Sequence, residues 1–291
     1  MFPLPPSHSI AVDCTVFPDM LGKSREARSS LAAKKESSMS GIMLVTGGSR
    51  GIGAAICRKA AASNYDVAVN YNSARERADE IVEDVKKLGQ RAIAVQADWG
   101  SEDDILRTYE AVDKGLGPVT AVVHNAGIDY ETTIADMKLD GLIRVFDVNV
   151  FGLFVSAREA LKRMSTKSGG PGGSIVNVGS ISARYGGLPG DVVYAASKGA
   201  VDSFTKGLAH EIADHGVRVN CVRPGLIRTE IFERSIGIEA AVAAAKTGSM
   251  LKRIGEPEEI ANMVVWLCSD EASYVTNAIY DVDGGRGNRP S

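Results

Sequence analysis

The sequence predicts an α/β fold, a doubly wound parallel sheet of seven strands with helices on both faces. Short apolar, β-branched runs alternate with longer stretches whose apolar residues recur at helical spacing. The short runs are apolar throughout rather than at every second residue, as strands covered on both faces must be. A glycine-rich turn joins the first strand to the first helix, and ligands of such sheets bind beyond the carboxyl ends of the strands.

The first strand is expected at 42–45, with a helix over 52–62 after the glycine turn. A second strand at 66–70 leads to apolar residues at helical spacing over 75–88. The third strand falls at 92–96 and a helix at 102–114. The fourth strand is expected at 119–123 and the fifth at 174–178. Two long helices, around 135–165 and 194–213, flank the fifth strand. The sixth and seventh strands fall at 218–222 and 278–282. Parallel order implies right-handed crossovers.

At 291 residues, 44% apolar and 24% charged, the chain suffices for one large globular domain, expected over 41–291. The net charge of −3 supplies no basic field for nucleic acid. No apolar run approaches the roughly 20 residues of a membrane span. Cys14, Cys57, Cys221 and Cys268 are far apart, form no metal-ligand spacing and read as free thiols of a reducing compartment. Residues 1–40, rich in Ser, Pro and basic residues, show no sustained period and read as a disordered extension. An organelle transit peptide is the other reading, because Arg and Ser are present and acids are few. Met39 stands just before the first strand and is a candidate start.

The turn reads Thr46-Gly47-Gly48-Ser49-Arg50-Gly51-Ile52-Gly53. Glycines there permit a tight bend and a close backbone approach to a pyrophosphate, and the free N–H groups of the following helix attract an anion. Gly47, Ser49, Gly51, Ile52 and Gly53 are therefore candidate dinucleotide-binding positions. A carboxylate at the end of the second strand would hold the ribose 2′-OH of NAD. Here that place reads Asn70, Tyr71, Asn72, Ser73, with no acid before Glu76. Arg50 can pair with a 2′-phosphate instead, and Asn70, Asn72 and Ser73 add polar groups, so NADP(H) is expected over NAD(H). Asp98, ending the third strand, is a candidate acceptor for the adenine amino group or a helix cap. Asn125, Ala126 and Gly127 end the fourth strand, where small residues let a cofactor pack closely.

Tyr194 and Lys198 lie four apart in a predicted helix and so share one face. A free phenol, with pKa near ~10, exchanges protons poorly at neutral pH. A cation about 4 Å away offers about 4 kcal/mol at an effective dielectric of ~20. That would bring the phenol to about 7, at roughly 1.4 kcal/mol per unit.

Together, the glycine turn, Asn125-Ala126-Gly127, Asn149, Ser180, Tyr194, Lys198 and the run Pro224 to Thr229 resemble the short-chain dehydrogenase/reductase family. Among its members the chain looks most like the 3-oxoacyl-carrier-protein reductases and the glucose-1-dehydrogenase-like enzymes. The motifs span Gly41 to about Gly285. The resemblance implies a Rossmann-like fold and an oxidoreductase interconverting a carbonyl and a secondary alcohol. Tyr194 would be the proton donor, Lys198 would lower its pKa and hold the nicotinamide ribose, and Ser180 would bind the substrate oxygen. Asn149 would hold a water linking Lys198 to solvent. Pro224, Gly225, Ile227 and Thr229 would cover the nicotinamide. The family usually has Asn where this chain has His124, which reads as structural. Ser182 is a rival for the serine role. Residues 230–253 would form a lid over the substrate, with Arg228, Arg234 and Lys246 its few charged anchors. The resemblance also implies a homotetramer acting on a small molecule in the cytoplasm. A catalytically idle NADP(H)-binding regulator is the alternative reading.

Overall fold

The computed structural model describes residues 41–230 and 237–288. The extension at 1–40 with Cys14, the first part of the expected lid with Arg234, and residues 289–291 lie outside the described residues. Among the described residues, seven parallel strands form one sheet in the order β3-β2-β1-β4-β5-β6-β7. They are β1 (Gly41–Val45), β2 (Tyr65–Tyr71), β3 (Ala92–Gln96), β4 (Ala121–His124), β5 (Gly173–Val178), β6 (Val217–Pro224) and β7 (Ile279–Val282). The main helices are α1 (Gly51–Ala62), α2 (Arg75–Lys87), α3 (Glu102–Gly115), α4 (Leu139–Phe146) and α5 (Gly152–Met164). They continue with a short α6 (Ser182–Tyr185), α7 (Val192–Glu211), α8 (Ile238–Gly248) and α9 (Pro257–Cys268).

The order reverses between β1 and β4, which pair through Leu44 and Val122. Successive crossovers leave this seam in opposite directions, so a crevice opens where β1 and β4 end. One face of the sheet is covered by α1, α2 and α9, whose Ile56, Ile81, Val85, Ile260 and Val264 join Val45, Val67 and Val69 in one apolar layer. The other is covered by α3, α5 and α7, with Ile105, Tyr109, Ala157, Met164, Leu208 and Ile212 against Leu44, Val122 and Ile175. Both faces of β1 are thus buried, which is why its sequence shows no alternation.

Local signals set the helix ends. The Ser101 hydroxyl accepts from Asp104 N at the start of α3, and acids fill its first turn. Glu256 and Glu259 form a reciprocal capping box around Pro257 at the start of α9. No described helix is long and apolar enough to cross a membrane. The described cysteines, Cys57, Cys221 and Cys268, are free and buried, as expected of isolated thiols.

Candidate active site

The glycine turn is held from three strands. From the end of β1, the buried Thr46 hydroxyl accepts from Asn125 N (2.9 Å) and Ala126 N (2.8 Å). Asn125 Nδ2 returns to Thr46 O (2.9 Å) and Gly47 O (3.2 Å). From β2, Asn70 Oδ1 accepts from Gly47 N (3.1 Å), while its Nδ2 donates to Val95 O and Ala97 O. Every polar atom of the Asn70 side chain is therefore engaged within the protein. Its place in the site is that of a strut beneath the turn.

Gly47 and Gly51 adopt φ of +62° and +51°, a region closed to most side chains. A Cβ on Gly53 would stand 2.2 Å from Gly47 O. Only glycine fits there. The first turn of α1 has no side-chain cap and no acidic residue. Its free N–H groups, with Ser49, Arg50 and Ile52 beside them, suit an anionic diphosphate. Asn72 and Ser73 are exposed at the end of β2, as a ribose-phosphate contact requires. Asp98 is anchored through one oxygen: its Oδ1 accepts from Arg144 Nη2 (2.8 Å) and Gly100 N (2.9 Å). Burial works against the charge, but these bonds hold its carboxyl below the ordinary value. It does not cap α3 by side chain, since that position belongs to Ser101.

The segment leaving β6 folds back over the crevice. Pro224 O accepts from Ile181 N (3.0 Å), tying it to the loop after Ser180, and Gly225 N donates to Val282 O (3.1 Å). Ile227 pairs with Gly255 in an isolated bridge. Thr229 then reaches the glycine turn, its Cγ2 3.3 Å from the Cβ position of Gly51.

Ser180, Tyr194, Lys198 and Asn149 converge at this mouth from β5, α7 and the helix before α5. Lys198 is buried and donates from Nζ to Val178 O (2.9 Å), with Nζ 5.7 Å from the Tyr194 ring centre. A Cβ on Gly127 would lie 3.4 Å from both Asn149 Oδ1 and Lys198 Nζ, so the chain after β4 runs directly across the pair. Asn149 occupies a single π-helical turn, Asp147–Phe151. Its amide accepts from Ile128 N (2.9 Å) and donates to Ile128 O (2.9 Å) and Ser197 Oγ (3.0 Å). Ser197 Oγ donates in turn to Tyr194 O (2.7 Å). A cavity of about 10 Å³, the size of one water, is lined by Asn149, Lys198, His124 and Trp99.

The electrostatics correct the charge argument made from sequence. Burial pushes the Tyr194 phenol up to about 12; the Ser180 hydrogen bond opposes this, and Asp129, Asp191 and Tyr185 add to it. Burial also pushes the Lys198 ammonium down to about 8, against the upward pull of Cys221 and Asp202. Attraction between the two groups alone would lower the phenol, but the desolvation of each dominates here. Ser180 bears on the Tyr194 phenol, while the Ser182 backbone N–H donates to Ser180 Oγ (3.1 Å).

His124 is fully engaged, with Nδ1 2.8 Å from Asn177 Oδ1 and Nε2 2.7 Å from Ser156 Oγ. Asn177 Nδ2 donates to Thr205, so Asn177 Oδ1 accepts and His124 Nδ1 carries the proton. Burial lowers its pKa to about 4 despite the Asn177 bond. Two positioning residues were not singled out from sequence. Thr46 could have been found as the polar residue entering the turn, and Ser197 as the hydroxyl one helical turn after Tyr194 and adjacent to Lys198. No group of described residues has a metal-ligand arrangement.

Known proteins share this sequence pattern and fold. The family model described as Enoyl-(Acyl carrier protein) reductase matches residues 47–286. An oxidoreductase of Escherichia coli K12, YgfF, is 45% identical over 84% of this chain and 99% of its own. Glucose 1-dehydrogenase 2 of Bacillus subtilis is 37% identical over 85% of this chain and 95% of its own. Among solved structures, a metagenomic blue fluorescent protein in complex with NADPH superposes with a TM-score of 0.76 at 37% identity, covering 84% of this chain and 97% of that one. A Burkholderia cenocepacia short chain dehydrogenase in complex with NADP gives 0.78 at 32% identity, over 86% and 99%. The glycine turn on its strand-to-helix junction, the convergent Ser, Tyr, Lys and Asn side chains, and these matches together place the chain in the short-chain dehydrogenase/reductase family of oxidoreductases.

Proposed function

We propose that the protein is an NADP(H)-dependent reductase of a small carbonyl compound, or equally a dehydrogenase of the secondary alcohol, with Tyr194 as the proton donor. The observation that carries this reading is the meeting of Tyr194, Ser180 and Lys198 beside Gly127, at the open end of the crevice whose other end is the glycine turn. When bound, the reduced nicotinamide supplies a hydride to the carbonyl carbon. Ser180 donates a hydrogen bond to the carbonyl oxygen as negative charge develops on it. Tyr194, holding its proton at neutral pH, passes it to that oxygen, completing the alcohol. Lys198, with its pKa lowered to about 8, returns a proton toward the phenol, with the adjacent cavity a place for a water to supply the next. Asn149 and Ser197 position these two side chains. Thr46, Asn70, Asn125 and Ala126 shape the turn that receives the diphosphate, and Thr229 stands over it.

The Arg50 guanidinium at the turn, and the lack of an acid at the end of β2, support NADP(H). Glucose 1-dehydrogenase 2 and the NADP-bound neighbours support the same reaction class and cofactor. We further propose a homotetramer, resting on the exposed apolar faces of α4 and α5, and a cytoplasmic location, resting on the free thiols Cys57, Cys221 and Cys268.

Substituting Tyr194→Phe tests the proton role against that of an idle cofactor-binding regulator. Titration with NADPH should give a dissociation constant within about twofold of wild type, while turnover falls by about 10²-fold or more. Retained turnover would remove Tyr194 from the chemistry, and absent turnover in wild type across ketones, sugars and ketoacyl thioesters would favour the regulator.

A further inference from the structure

Two arginines from separate elements converge on one carboxylate at the rim of the crevice. Arg50, in the glycine turn, brings Nη1 to 3.9 Å from Glu230 Oε2. Arg77, on α2, bonds Glu230 Oε1 through its own Nη1, and this is the closer contact. Glu230 directly follows Thr229, which stands over Gly51. The segment leaving β6 therefore delivers an acid to Arg50, the cation of the glycine turn. None of these three side chains was connected to another by the sequence. Their side-chain exposures of 31% to 49% leave all three accessible to an incoming anion.

A phosphate arriving at Arg50 meets a guanidinium already facing a carboxylate of like charge to its own. The carboxylate competes for the same N–H donors and repels the newcomer. The unequal contacts limit that competition, because Arg77 draws Glu230 toward α2 and away from the turn. We propose that Glu230 and Arg77 set how strongly the chain prefers a 2′-phosphorylated cofactor. Glu230 is a competitor for Arg50. Arg77 is a positioning residue that holds this competitor in check and makes no contact with the phosphate itself. The inference rests on the NADP(H) reading above.

Calorimetric titration with adenosine 2′,5′-bisphosphate and with AMP, on the full chain at low ionic strength, separates the possibilities. Glu230→Gln should bind the bisphosphate about two- to fivefold more tightly, the range of an exposed ion pair, with AMP unchanged. Arg77→Ala should weaken the bisphosphate by a similar factor, by letting Glu230 settle on Arg50. The double substitution Arg77→Ala with Glu230→Gln should recover the affinity of Glu230→Gln alone. A double variant as weak as Arg77→Ala would mean that Arg77 touches the phosphate, and would overturn the proposal. So would a Glu230→Gln variant without tighter binding. Arg50→Ala distinguishes the underlying reading. If it loses the bisphosphate preference while Glu230→Gln is silent, the competition alone is refuted. If wild type and Arg50→Ala treat both probes alike, the NADP(H) reading fails and carries the inference with it.

Discussion

His124 ends β4 with a directed line of hydrogen bonds through it, from Tyr109 and Ser156 on one side to Asn177 and Thr205 on the other. Its acid-base behaviour follows from burial. The folded pKa of about 4 lies below the unfolded 6.5, so the unfolded chain takes up the proton first. The stability that neutral His124 maintains is complete above about 6.5 and is lost as pH falls toward 4. The shift corresponds to about 3 kcal/mol, at roughly 1.4 kcal/mol per unit. His124→Asn, which installs the residue usual in the family, should flatten the loss of stability between pH 6.5 and 4. Urea unfolding at both pH values checks this; parallel curves for the two proteins would count against it. At this scale the chemistry-bearing residue types were legible in the sequence, because Tyr194, Lys198 and Ser180 form a recognisable set. Their charge states were not, since burial depends on neighbours that no local run discloses.

The π-helical turn at Asp147–Phe151 is the element on which the site pivots. Such a turn widens the helix by one residue and is common at functional sites. Here Asn149 uses its amide to close the backbone of Ile128 on one side and to reach Ser197 on the other. Replacing Asn149 by Ala orphans the Ile128 N–H and C=O, at about 1–3 kcal/mol for each unsatisfied buried group. Asn149→Ala should lower unfolding stability by about 2–6 kcal/mol and reduce turnover more than it raises KM, as measured by denaturant melts and steady-state kinetics. Asn149 itself was found by motif, but the turn that carries it gives no signal at 3.6-residue spacing. The strands were read closely: 92–96 coincides with β3, and β5 gains only Gly173. β4 was placed early, because Val119 and Thr120 share its apolar, β-branched character yet precede its pairing with β1 and β5. Asn70 was assigned to the cofactor because sequence shows only its place at a strand end, while its side chain turns inward to the loop. The expected lid is helical over Ile238–Gly248, where Ala241 and Ala245 pack against Ile254.

At the scale of the whole molecule, the parallel sheet and the helices on both faces followed from alternation, whereas the strand order and the outward surface did not. Leu139, Ile143, Phe151 and Phe154 are exposed on the consecutive helices α4 and α5 and the π turn between them, Phe151 by 56% and Phe154 by 53%. Phe154 packs tilted against Phe204 of α7, ring centres 4.3 Å apart, which continues the apolar surface onto a second helix. Covering that face is the physical ground for proposing four copies. Light scattering should return the mass of four chains, and Phe151→Glu should reduce it to two or one; a wild-type monomer would end the proposal.

The glycine turn has no independent existence. Thr46, Asn70 and Asn125 fasten it to three neighbouring strands, so the bonds that shape the turn reinforce the ladders joining β1 to β2 and β4. A nucleotide settling there acts as a brace across the seam of the sheet. Occupancy must then raise the temperature at which the chain melts, and a loosened seam must weaken the nucleotide's grip in equal measure.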